Sequence, residues 1–120
     1  MKKILIVEDD PFLMEIYTEK LKKEGFLIEG ISDSENFFEK LKEDHFDLIL
    51  LDLVLPKMNG FEILEQLKKN FPEQKVVVIS NLGSKRDIER CLELGAKDFI
   101  VKAKFSLQDF VKKIKEIVEQ

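Results

Sequence analysis

Short unbroken apolar runs alternate along this chain with longer stretches in which apolar residues recur every three or four positions. The first pattern suits strands buried on both faces, and the second suits amphipathic helices. The run Leu48-Ile49-Leu50-Leu51 is bounded by Asp47 and Asp52 and followed by Pro56 and Gly60, and it reads as the core of a buried strand over 46–51. Lys3–Val7 (KILIV), 75–79 (KVVVI) and Asp98–Val101 read as strands too, and 26–31 as a more polar one, with Glu29 and Gly30 marking a sheet edge. Between them, Pro11–Lys23 reads as a helix with proline in its first turn and Gly25 just past its end. Further helices are predicted over 34–43, with Phe37, Phe38 and Leu41 inward; over 59–70, stopped near Pro72; and over 84–94, where Ser84 and Asp87 loosely form a capping box and Gly95 ends the helix. Ser106 caps a last helix carrying Leu107, Phe110, Val111, Ile114, Ile117 and Val118 at helical spacing. Five strands alternating with five helices imply an α/β domain with a parallel sheet covered on both faces.

In such a sheet, chemistry collects at the carboxyl ends of the strands. The predicted ends carry Glu8 and Asp9, Asp52, Ser80 and Lys102. A carboxylate at the end of a buried strand is costly unless something pairs with it. Each residue has a bland reading: Asp52 as a turn acid, Ser80 as a turn hydroxyl, Lys102 as one of many solvated lysines. Their convergence on one rim favours a site. Three clustered acids repel, and a hard divalent cation relieves them; magnesium prefers oxygen ligands and keeps several waters, so two or three carboxylates suffice. A carboxylate beside magnesium can act as a nucleophile toward phosphorus, with Lys102 and Ser80 holding the oxygens of the transferred group.

Composition narrows the class. The 120 residues suit one domain, and 44% hydrophobic with 37% charged residues suits a globular protein. A net charge of −4 argues against direct nucleic-acid binding, and no apolar stretch reaches membrane-spanning length. Lys2-Lys3 before the first apolar run matches the start of a signal peptide, but Glu8-Asp9-Asp10 cuts that run far too short for one. The single cysteine, Cys91, excludes an intrachain disulfide, fits a reducing cytoplasm and reads as a buried structural thiol.

Four segments in order, ILIVEDDP at 4–11, DLILLDLVLPKMNG at 47–60, VVVIS at 76–80 and GAKDFIVK at 95–102, resemble the response-regulator receiver domain of two-component signalling over essentially the whole length. The resemblance implies a flavodoxin-like doubly wound (βα)5 fold of strand order 2-1-3-4-5, with 1–120 as one receiver domain and no output domain in view. It implies that Asp52 accepts a phosphoryl group from a histidine kinase or histidine phosphotransfer protein. It further implies Mg2+ held by Glu8, Asp9 and Asp52 with the Val54 backbone carbonyl, Asp10 being secondary. Ser80 becomes the switch hydroxyl and Lys102 the phosphate-contacting lysine. Phe99 matches the aromatic that changes rotamer on activation, its alternative being a plain core aromatic. The chemistry extends only to the chain's own phosphorylation and slow dephosphorylation, acting on an unidentified output protein.

Apolar residues on the first helix exceed one buried stripe, so Phe12, Leu13 and Ile16 are docking candidates for the phosphodonor, with a wide core face as the alternative. Val54 and Leu82 flank the site and are apolar, placed to shield a phosphoryl group from water. Two positions depart from the family's pattern: Asn81 stands where a small residue usually follows the switch hydroxyl, and Ala103 where proline usually follows the lysine. A cis bond before Ala103 would cost about 2.5–4 kcal/mol, so a trans bond and an altered loop are expected, with the reach of Lys102 at issue. Two other classes compete: an unphosphorylated pseudo-receiver serving as an interaction module, and a phosphatase with an aspartyl nucleophile. The second usually carries another acid two residues after the first, where this chain has Val54.

Overall fold

A run of four apolar residues with no polar alternation is stable only where both faces are covered, and Leu48–Leu51 sits at the centre of the sheet with all four buried. The computed structural model describes residues 1–55 and 59–120. Pro56, read above as a boundary of the central run, lies outside the described residues together with the rest of 56–58.

Five strands, β1 (Lys3–Val7), β2 (Leu27–Ile31), β3 (Leu48–Leu51), β4 (Val76–Ser80) and β5 (Asp98–Val101), alternate with helices α1 (Pro11–Lys23), α2 (Phe37–Glu43), α3 (Gly60–Asn70), α4 (Lys85–Glu93) and α5 (Leu107–Glu119). All strand pairings are parallel and the order is β2-β1-β3-β4-β5, so the more polar β2 is an edge as expected. The two-residue period of the strands sorts the core into two layers. Leu5, Val7, Ile49, Leu51, Val76, Val78 and Phe99 meet Phe37, Leu41, Ile63, Leu64, Leu67 and Cys91 from α2, α3 and α4. On the other face, Ile4, Ile6, Leu48, Leu50, Val77, Ile79 and Ile100 meet Tyr17 and Leu21 of α1 and Phe110, Ile114, Ile117 and Val118 of α5. This is the doubly wound α/β arrangement of the flavodoxin-like fold.

The helix ends follow the local chemistry. Asp10 Oδ1 accepts from the N–H groups of Phe12 and Leu13, so Asp10 is the α1 cap. Asn59, Ser84 and Ser106 cap α3, α4 and α5 in the same way. Gly25 and Gly95 end α1 and α4 with φ of 95° and 101°, the left-handed region that glycine enters without strain.

Several boundaries differ from the sequence pattern. Helix α2 starts at Phe37 and not at residue 34, because the Ser34 carbonyl accepts the Phe37 N–H in a turn and Asn36 makes no side-chain cap. Strand β2 starts one residue late, because Phe26 N–H still bonds to Leu21 at the end of α1. Strand β3 starts at Leu48, two residues into the predicted segment. Strand β4 runs to Ser80, whose partner across the sheet is Val101, so the hydroxyl belongs to the sheet and not to the loop beyond it. Among the described residues no peptide bond is cis, and the chain after Lys102 forms a short 3-10 turn over Lys102–Lys104. No helix of the described residues is long and apolar enough to cross a membrane.

Candidate functional site

The sheet's hydrogen bonding continues one residue past β1 and β3. Glu8 N–H donates to the Ile31 carbonyl and Asp52 N–H to the Val7 carbonyl, each at 3.1 Å. These ladder bonds bring both carboxylates to the same rim, where Glu8, Asp52 and Ser80 are all buried. Asp9, next to Glu8, points to the exposed side. One carboxylate oxygen from each of Glu8, Asp9 and Asp52 lies within 4.8 Å of the others.

Lys102 enters this cluster from the end of β5. Its Nζ donates to Glu8 Oε2 at 2.8 Å and to Asp52 Oδ2 at 3.0 Å. The altered loop therefore leaves the reach of Lys102 intact. The second Glu8 oxygen accepts from Asp10 N–H at 3.2 Å, and Asp52 Oδ1 accepts from Val54 N–H at 3.1 Å. Asp52 is thus both a turn acid and a member of the cluster. Burial raises the pKa of Glu8, with the charge of Asp52 adding to the rise and the Lys102 ammonium and the Asp10 N–H opposing it. Burial alone would lower the pKa of Lys102; its hydrogen bonds to Glu8 and Asp52 outweigh that, and the ammonium holds its proton above the ordinary lysine range. The sequence reading assigned relief of the acids to a metal alone. The structure shows that Lys102 relieves two of them already.

The residues present fit a divalent cation. Three carboxylates share the rim with a single ammonium. All the donors are hard oxygens, which suits magnesium better than a thiophilic metal.

Beside the carboxylates lies a cavity of about 210 Å3 lined by Asp52, Val54, Ser80, Asn81, Leu82 and Lys102. Ser80 Oγ accepts from Leu82 N–H at 3.1 Å, which leaves its own proton free to donate. Val54 and Leu82 stand at the mouth, 56% and 46% exposed. Phe99 is buried on the α2–α4 face. On α1, Leu13 and Ile16 are half-buried against the core, as a wide core face requires, and Phe12 is 68% exposed.

Sequence reasoning missed one polar contact at this rim. Asn81 Oδ1 accepts from Ala103 N–H at 3.0 Å. The available signal was the pair of departures themselves, an amide side chain at 81 and a residue with a free N–H at 103.

Comparison with known proteins agrees with this geometry. Residues 4–115 match the family described as the response regulator receiver domain. The chemotaxis protein CheY of Thermotoga maritima is 32% identical over 102 residues, covering 84% of this chain and 85% of that protein. The transcriptional regulatory protein CpxR of Escherichia coli is 36% identical over 120 residues, covering 100% of this chain and 50% of CpxR. The chain therefore spans about half the length of the transcriptional regulators it matches. The crystal structure of a CheY-like receiver domain protein from Methanospirillum hungatei JF-1 superposes with a TM-score of 0.90 at 31% identity, covering 99% of this chain and 94% of that one.

Proposed function

Because this chain belongs to the response regulator receiver domain family of two-component signalling, we propose that it is a cytoplasmic phosphorylation switch whose acceptor is Asp52. The observation that carries the reading is the Lys102 ammonium bridging Glu8 and Asp52 beside the open cavity. Asp52 attacks the phosphorus of a phosphohistidine on a histidine kinase or phosphotransfer protein. The bond from phosphorus to the imidazole nitrogen breaks, its electron pair stays on the imidazole, and an aspartyl phosphate forms. Val54 N–H steadies Oδ1 of Asp52, while Lys102 can follow the incoming oxygens from its place on Oδ2.

Glu8, Asp9, Asp52 and the Val54 carbonyl would hold Mg2+, which when bound supplies charge neutralisation for the phosphoryl oxygens. Ser80 is placed to donate its hydroxyl proton into the cavity, and its movement toward the phosphoryl group would carry the β4–α4 loop with it. Phe99, packed beneath in the core, would change rotamer with that movement. Phe12, exposed at the start of α1, is the strongest candidate for contact with the phosphodonor; Leu13 and Ile16 contribute through their outer edges. The regulated output is a protein partner.

The test is the intact mass after incubation with acetyl phosphate and magnesium. Wild type should gain one phosphoryl group and Asp52→Asn none. Equal labelling of the two proteins would move the acceptor elsewhere. An unlabelled wild type would favour the unphosphorylated interaction module.

A further inference from the structure

The two departures from the family's pattern meet in space. Asn81 directly follows Ser80, Ala103 directly follows Lys102, and Asn81 Oδ1 accepts from the Ala103 N–H at 3.0 Å. The sheet register makes the meeting possible: Ser80 pairs with Val101, so the chain leaves β4 and β5 side by side. A small apolar residue at 81 would have no oxygen to offer, and proline at 103 would have no N–H to give. The bond therefore depends on both departures together.

Its position determines what it does. The Ala103 nitrogen is bonded directly to the carbonyl carbon of Lys102, so holding that nitrogen restrains the root of the lysine. The tip is held at the other end by Glu8 and Asp52, so the four-carbon stem is tied at both ends, and a loosened root widens the range of positions open to the ammonium. The loop after β4 meets the end of β5 again where Gly83 lies against Val101, so closely that an added Cβ would stand 2.8 Å from the valine methyl. Asn81 and Lys102 also line the cavity beside Asp52 together.

We propose, resting on the acceptor role of Asp52, that Asn81 is a positioning residue for phosphoryl transfer: through the Ala103 N–H it fixes the root of Lys102 and so keeps the ammonium aimed at the Asp52 carboxylate. A proline ring would restrain the same stretch through its fixed φ. In this chain a side-chain hydrogen bond from the neighbouring strand end supplies the restraint.

The test compares wild type, Asn81→Ala, Ala103→Pro and the double variant, reading the rate of labelling by acetyl phosphate in magnesium in all four and the hydrogen exchange of the Ala103 amide in the two that keep it. Asn81→Ala should slow labelling about fivefold, the worth of one hydrogen bond, and should speed Ala103 amide exchange. In the Ala103→Pro background, where the donor is gone, the same Asn81→Ala change should have no further effect on labelling. An equal loss in both backgrounds would show that Asn81 acts by another route. Should Ala103→Pro not fold, labelling and amide exchange in Asn81→Ala decide alone, and either one unchanged overturns the role. A wild type that takes no phosphoryl group would instead refute the acceptor assignment and remove the positioning role with it.

Discussion

Lys102→Met removes the ammonium from the rim while keeping most of the side chain's bulk. The Lys102 side chain is 13% exposed and that of Glu8 only 1%, so the pair is largely out of water. Among the described residues, Glu8 without Lys102 keeps one hydrogen bond, from Asp10 N–H, and faces the Asp52 carboxylate with no counter-charge. Leaving one partner of a buried pair uncompensated costs about 3–5 kcal/mol. Glu8 escapes part of this by taking up a proton, so we expect the lower end, about 3 kcal/mol. For a domain of this length the unfolding entropy is about 0.25 kcal/mol per kelvin, which puts the fall in melting temperature near 12 °C. Glu8 is already raised by burial and by Asp52, and losing Lys102 raises it further. An acid whose folded pKa lies above its unfolded value favours folding fully below the unfolded pKa and loses that contribution as pH rises through the folded pKa. The deficit of Lys102→Met should thus be largest at neutral and alkaline pH and shrink toward the ordinary glutamate range. The assay is thermal unfolding followed by circular dichroism in chelator, repeated with magnesium, which should restore part of the loss. Adding Glu8→Gln to Lys102→Met should restore most of it without metal. A variant that melts with wild type at neutral pH, or a deficit that Glu8→Gln leaves untouched, would refute the account of Lys102 as the charge that keeps Glu8 folded in.

Magnesium at about a hundred times its dissociation constant should add about 2.7 kcal/mol to wild type; Asp52→Asn should raise the metal-free melting temperature by relieving like charge and weaken that response, whereas an identical response would displace Asp52 from the metal site. Val54→Asn with Leu82→Glu should speed loss of the phosphoryl mass about tenfold, equivalent to about 1.4 kcal/mol of barrier, because both residues stand exposed at the cavity mouth; decay at the wild-type rate would end the shielding idea. Phe12→Ala should slow transfer from a cognate phosphodonor and leave acetyl phosphate labelling and stability unchanged, whereas Ile16→Ala, half-buried against the core, should also lower the melting temperature. Cys91, fully buried with its thiol pushed up to about 11 by desolvation, should resist alkylation at pH 8 until the protein unfolds; rapid labelling of the native protein would place it elsewhere than the core.

The fold was legible because its strands are buried on both faces. Val76, Val77, Val78 and Ile79 leave no polar position on either side, and such a run has few places to go except the inside of a parallel sheet. Helix α5 was equally clear, since Phe110, Ile114, Ile117 and Val118 form one stripe and all are buried. Legibility failed where single hydrogen bonds decide. The turn at Ser34 that delays α2 costs little either way, so residue pattern alone does not separate a turn from a first helical turn there. The α1 surface was ambiguous for a different reason. Leu13 and Ile16 are half-buried, and periodicity sorts residues into faces without measuring how far each face is covered.

At the rim, the residue types could be read from the chain but not their division of labour. Glu8, Asp9 and Asp52 stood out because ionised groups at the ends of apolar runs demand a partner. Glu8, still bonded into the ladder, is buried, whereas Asp9 one residue beyond it is exposed, and two neighbouring acids give no sign in the sequence of which one the sheet keeps. The sheet also decides which acid Lys102 reaches. The lysine directly follows the edge strand β5 and crosses toward Glu8 just past β1, two strands beyond its neighbour β4, with Asp52 just past β3 between them. A buried carboxylate that far from β5 can hold an ammonium only if the lysine stem is aimed across the sheet's end, and the stem's aim begins at the peptide that Asn81 holds. The departures at 81 and 103 therefore belong to the same electrostatic arrangement as the acids: the acids need the charge of Lys102, and the reach of Lys102 depends on how its backbone is fixed.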